Sequence, residues 1–236
     1  MRRRCWVKLR PFAIWAGNVA KFDLEGIGMT SRRTRERLVD RIAAQGIYDS
    51  AVLERMRAVP RHIFVDEALA QRSYEDTALP IGHGQTISQP FIVALMTQLI
   101  REGGGRNVLE VGMGCGYQSA VLSGLFEKVW SVELLAPLAA RAQERLQALG
   151  IKNVRYKVGD GYRGWSVHAP FDCIIVTAAP PSVPEDLIAQ LAIGGRMVIP
   201  VGGSGRQELL LIKKDREGIT QTVEEIVRFV PLVKGA

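Results

Sequence analysis

Apolar residues recur along this chain in two rhythms, and the change from one to the other falls near residue 107. Before it the spacing is helical. Thr30 or Ser31 is placed to cap a helix whose apolar face includes Leu38 and Ile42, with Gly46 as its terminator. Ser50 stands in the same relation to Val52, Leu53 and Met56, and Pro60 stops that second helix. Residues 72–88, RSYEDTALPIGHGQTIS, keep neither period and read as a long ordered loop. Helix formers return from Pro90 to Ile100, with the proline acceptable because it falls in the first turn.

After residue 107 short β-rich runs take over: NVLEVG, VWSVE, NVRYKVGD, FDCIIVTA and GRMVIPVG. The first four are nearly continuous in apolar residues, as strands covered on both faces are. Helical stretches separate them, the clearest being 136–149, closed by Gly150. Alternating strand and helix predicts an α/β fold with a doubly wound, mostly parallel sheet and helices on both faces. ELLLIKKD and TQTVEEIVRFVPL then predict two more strands, joined through Glu217 and Gly218, as an antiparallel edge.

Composition adds little until charge is located. The chain has 236 residues, 47% of them hydrophobic, and a formal charge of +7. That length suits one full-sized core, and no Pro/Gly/Ser-rich linker divides it. Residues 1–37 carry ten Lys or Arg against three acids, so the remainder is formally neutral. A neutral body with a basic leader argues against a nucleic-acid partner. The expected organisation is a basic N-terminal extension, 1–28, followed by one domain, 29–236. Within that domain 29–106 is the helical and loop region and 107–236 the sheet core.

The apolar run Phe12–Ala16 is too short to span a bilayer and poor as a signal peptide, so a cytoplasmic location with no membrane partner is expected. Cys5, Cys115 and Cys173, like His62, His83 and His168, are too scattered for a disulfide framework or a metal site.

The densest chemistry lies in VLEVGMGCG, Val108 to Gly116. A strand runs directly into Gly112, Gly114 and Gly116, which allow a tight turn and close backbone approach to a ligand. Glu133 ends the next strand, 21 residues after Gly112, where an acid can hold the ribose hydroxyls of an adenosine. Asp160 and Gly161 follow the third strand, and Asp160 can accept from an adenine amine. The glycines alone fit NAD or S-adenosylmethionine. Three features favour the latter: the third glycine comes one residue early for a dinucleotide, Glu110 would repel a pyrophosphate but suit an ammonium, and acids ending three strands suit a cation. The edge pair also fits a methyltransferase better than a dehydrogenase, by fold analogy. Cys115 has no histidine at nearby spacing and reads as a small residue in the turn; Cys173 reads as core.

Six segments, in order, resemble the protein-L-isoaspartate O-methyltransferase family: YEDTALPIGHGQTISQPFIVALM (74–96), VLEVGMGCGYQSAVL (108–122), GDGYRGW (159–165), APFDCIIVTAAP (169–180), QLAIGGRMVIPVG (190–202) and VRFVPL (227–232). The resemblance covers roughly residues 32–233. It implies a Rossmann-like methyltransferase fold and transfer of a methyl group from S-adenosylmethionine, without a metal, to the free α-carboxylate of L-isoaspartyl residues. The partners implied are isoaspartyl peptides and age-damaged proteins with flexible segments, met by a monomer.

By the same resemblance Ser88 of TISQP is the active-site residue, and Gly112, Gly114, Gly116, Glu133 and Asp160 match the cofactor-binding positions; the residue reading adds Glu110 and Gly161 to that set. Gln85, Thr86, Val227 and Arg228 join Ser88 at the substrate. Asp76 is expected to anchor the loop and His83 to occupy an unusual turn. The alternative is a methyltransferase for a small molecule or RNA. Against it, TAAPPSVP (177–184) lacks the motif of adenine N-methyltransferases and the body is not basic.

Overall fold

The computed structural model describes residues 22–235. The expected extension, 1–28, lies outside them as far as residue 21. Of the residues that follow, Phe22 and Leu24 pack on the core, and the Asp23 carbonyl bonds His62 Nε2 at 2.6 Å.

Helix α1 (Arg32–Ala44) is capped by Ser31, whose hydroxyl accepts the Thr34 N–H, and it buries Leu38 and Ile42. Helix α2 (Ser50–Ala58) corrects the sequence reading by one residue. Asp49 is the cap, its carboxylate accepting from the N–H groups of Ala51 and Val52, and Ser50 is the first helical residue. A carboxylate outcompetes a hydroxyl there because it also meets the positive end of the helix dipole.

The expected loop 72–88 is also corrected, because it contains a hairpin. Strands β1 (Leu79–Gly82) and β2 (Gln85–Ile87) pair antiparallel across His83 and Gly84. Both turn residues have positive φ, 53° and 69°, which gives the twist that two-residue hairpins need. Helix α3 (Pro90–Arg101) follows.

The main sheet contains β3 (Asn107–Val111), β4 (Lys128–Glu133), β5 (Val154–Val158), β6 (Phe171–Val176), β7 (Leu191–Gly202), β8 (Gln207–Lys214) and β9 (Ile219–Val227). Their order is 5-4-3-6-7-8-9, parallel as far as β7 and antiparallel across β7–β8 and β8–β9. Helices α4 (Tyr117–Leu122), α5 (Ala136–Ala148) and α6 (Glu185–Gln190) connect them. Alternate strand residues serve opposite faces. Val108, Val129, Ile175 and Val198 pack under α3 and α4, whereas Leu109, Val132, Ile174 and Met197 pack with Leu187 of α6. Cys173 lies fully buried in this layer and, as expected, belongs to the core.

Strand order reverses between β3 and β6, the place where an open α/β sheet leaves a crevice beyond its carboxyl ends. After β9 the chain folds back over that end. Ala179 N–H donates to the Val230 carbonyl at 2.8 Å, and Leu232 N–H to the Ala179 carbonyl at 2.9 Å.

Candidate active site

The turn after β3 has left-handed backbone at Gly112, Gly114 and Gly116, with φ of 94°, 54° and 90°. A side chain on Gly112 would also strike Thr177 Oγ1, which donates to the Gly112 carbonyl at 2.6 Å. Glu133 locks the turn from the neighbouring strand. Its carboxylate accepts the Gly114 N–H at 2.7 Å and the Leu135 N–H at 2.9 Å.

Beside this turn lies a cavity of about 250 Å³. Gln85, Thr86, Gly112, Gly114, Glu133 and Gly161 all line it, so the hairpin and the ends of three strands meet at one place. Gly161 is there because Asp160 caps the short turn that follows β5, accepting the Tyr162 N–H at 2.9 Å. A Cβ on Gly161 would meet Val111 Cγ1 at 2.6 Å. The rest of the wall is mainly apolar, with Leu134, Leu135 and Leu138 and the chain from Val230 to Val233 contributing to it. A glycine cradle, one carboxylate and apolar walls suit an adenosine joined to a short cationic chain, and so fit S-adenosylmethionine.

Six expected residues stand outside the wall: Ser88, Glu110, Gly116, Asp160, Val227 and Arg228. Gly116 instead caps α4 with left-handed backbone and abuts Ala142 of α5. Glu110 lies beneath the turn. In β3 it shares a face with Val108, whereas Val111 faces the cavity, so its side chain enters the layer under α4. One carboxylate oxygen accepts from Ser119 Oγ at 2.5 Å and Ser131 Oγ at 2.6 Å; the other has no partner among the described residues. Burial, offset in part by those two hydroxyls and reinforced by the charge of Glu133, raises its pKa to about 7. Cys115 is buried in the turn, and desolvation raises its thiol pKa, which makes it a poor nucleophile.

Ser88 is half-buried, just ahead of α3. It is not the cap of that helix. Asp76 takes this role from a distance, accepting the Phe91 N–H at 2.8 Å and the Gln89 side chain at 3.1 Å. The anchoring expected of Asp76 is therefore present, and among the described residues the Ser88 hydroxyl has no hydrogen-bond partner. Val227 ends β9 and lines neither cavity; Arg228 lines a second one of about 320 Å³, which shares Pro231 and Leu232 with the first.

The family model for protein-L-isoaspartate(D-aspartate) O-methyltransferase matches residues 33–236. The chain belongs to this family. Protein-L-isoaspartate O-methyltransferase of Halorhodospira halophila is 57% identical over 211 residues, 89% of this chain and 96% of that one. The corresponding protein of Pseudomonas paraeruginosa is 55% identical over 208 residues, 88% and 99% of the two chains. Among solved structures, a protein-L-isoaspartate O-methyltransferase superposes with a TM-score of 0.76 at 32% identity, covering 84% of this chain and 65% of that one. A Plasmodium falciparum protein described as a beta-aspartate methyltransferase, in complex with S-adenosyl-L-homocysteine, gives 0.74 at 28% identity, covering 85% and 99%.

Membership in the isoaspartate methyltransferase family decides between the two ligands that the glycine spacing left open, in favour of S-adenosylmethionine. Among the described residues no group of His, Cys, Asp or Glu is arranged to hold a metal ion. Sequence reasoning missed His83, Leu134, Leu135, Leu138, Thr177 and Ala178 as cavity residues. His83 was signalled by its place between two glycines. The leucines and alanine carry no chemical mark, and only their position after a strand end betrays them.

Proposed function

We infer that this protein transfers a methyl group from S-adenosylmethionine to the free α-carboxylate of L-isoaspartyl residues in damaged proteins and peptides, the first step of their repair. The observation that carries this reading is the family match across residues 33–236, joined to a cavity where the glycine turn faces Gln85 and Thr86 of the TISQP hairpin.

S-adenosylmethionine, when bound, supplies an electrophilic methyl group on a sulfonium. Gly112, Gly114 and Gly161 would cradle it, with Glu133 and Asp160 on its polar groups. An α-carboxyl has a pKa of about 3.5 and is ionised at neutral pH, so the chain need supply no base. Its task is to place and desolvate an anion. Ser88 is suited to this: its hydroxyl can donate to one carboxylate oxygen and leave the other free to react. Gln85 and Thr86 supply polar contacts from the same hairpin. Arg228 and the chain from Phe229 to Leu232, which begins just after Val227, form the further wall along which an extended peptide lies. Glu110 supports the cofactor turn from below.

Action as a monomer is part of the same proposal. The two described cysteines are unpaired and buried, which fits a reducing, cytoplasmic setting. The test is to follow an isoaspartyl peptide by mass spectrometry after adding protein and S-adenosylmethionine. Methyl ester, succinimide and then normal aspartyl peptide should appear in that order. A stable methylated product, or label on a small molecule or RNA instead, contradicts the reading.

A further inference from the structure

Arg61 is 0% exposed, yet among the described residues no carboxylate pairs with it. Its guanidinium faces backbone instead. Nε donates to the Ser73 carbonyl at 2.9 Å, and Nη2 donates to the Ser88 carbonyl at 2.8 Å and the Thr77 carbonyl at 3.4 Å. The Tyr117 ring lies beneath, 5.0 Å from Cζ, and Nη1 has no partner among the described residues. Asp76, whose charge acts on it, uses its carboxylate on Phe91, Gln89 and Gln45.

Burying a cation this way is costly, and an apolar side chain would fill the same space more cheaply. What an apolar residue could not do is join the two stems of the hairpin. Ser73 and Thr77 precede β1 and Ser88 follows β2, so one planar group spans the base of the segment. Ile87, 4% exposed and paired with Leu79, fixes the chain just before Ser88, and Pro90 starts the helix just after it. With its carbonyl also held, Ser88 keeps little freedom beyond rotation of its own hydroxyl. Lysine cannot reproduce this, because a single ammonium does not present divergent donors in a fixed plane.

We propose that Arg61 is a positioning residue for methyl transfer, a buried fork that closes the hairpin base and fixes the backbone from which the Ser88 hydroxyl reaches. The proposal rests on the role given above to Ser88. It is tested by a double-mutant cycle of Arg61→Lys and Ser88→Ala, with kcat and both KM values measured on an isoaspartyl peptide. Calorimetric binding of S-adenosylhomocysteine monitors the fold.

Arg61→Lys is expected to lower kcat roughly 10- to 100-fold, the scale of a misplaced reacting group, with S-adenosylhomocysteine affinity unchanged. Placed on Ser88→Ala it should cost little more, because groups acting as one unit are not additive. Equal losses in both backgrounds, or cofactor affinity falling in step with kcat, overturn the proposal. Wild-type activity in Ser88→Ala alone overturns the role of Ser88 and the proposal with it, an outcome distinct from an impaired Ser88→Ala with additive losses. Should Arg61→Lys lack a cooperative urea unfolding transition, the cycle is run with Tyr117→Leu, which removes the ring under the guanidinium and loosens the plane of the fork. Additive losses there overturn the proposal equally.

Discussion

Burial gives the Glu110 carboxyl a pH signature of its own. Its pKa rises from the ordinary 4.5 to about 7 in the folded chain. Below about pH 4.5 the group is neutral whether folded or unfolded, and its contribution to stability is fully present. Between there and about pH 7 only the unfolded chain ionises, so stability falls by about 1.4 kcal/mol per pH unit. Glu110→Gln cannot ionise and removes that slope. Urea unfolding of both proteins at pH 5 and pH 8 should show the variant gaining on the wild type by about 3 kcal/mol as pH rises; parallel curves contradict it. Two neighbours report on function instead. Ser88→Ala removes one bond to a charged acceptor, worth about 1.5–3 kcal/mol, so kcat should fall about 10- to 100-fold while cofactor affinity holds. Glu133→Ala should do the reverse, weakening S-adenosylhomocysteine binding in calorimetry by a similar factor.

Among the elements, the hairpin and α3 depend on Asp76, whose carboxylate caps a helix fifteen residues further on. Asp76→Ala should cost about 1 kcal/mol of stability, read as a lower urea midpoint, and lower kcat because Gln89 is freed together with the cap. The hairpin itself was hidden in the sequence. Strands of four and three residues are too short to show a period of two, and Pro80, Gly82 and Gly84 read as loop; only His83-Gly84 signalled a turn. The glycine turn was legible because Gly112, Gly114 and Gly116 follow an apolar strand directly. The direction of Glu110 was not. A parallel strand covered on both faces is apolar at every position, so the sequence does not show which face an acid within it takes. Arg61 was equally silent, since its acceptors are backbone carbonyls, which have no sequence signature.

At the scale of the whole molecule, the sheet order follows from alternation of strand and helix, and the order locates the crevice. Strands β3, β4 and β5 run outward on one side and β6 returns on the other, so the carboxyl ends of β3, β4 and β6 converge where Gly112, Glu133 and Thr177 line one cavity. At the far edge β9 is exposed along nearly its whole length, and Glu224 and Glu225 guard it against pairing with other chains. The central claim is that this site methylates the abnormal linkage rather than any available carboxylate. It is tested most directly by methyl transfer from labelled S-adenosylmethionine to two peptides differing only in L-isoaspartate or L-aspartate at one position. The account predicts base-labile label on the isoaspartyl peptide alone; equal label on both, or none on either while S-adenosylhomocysteine still binds, would contradict it.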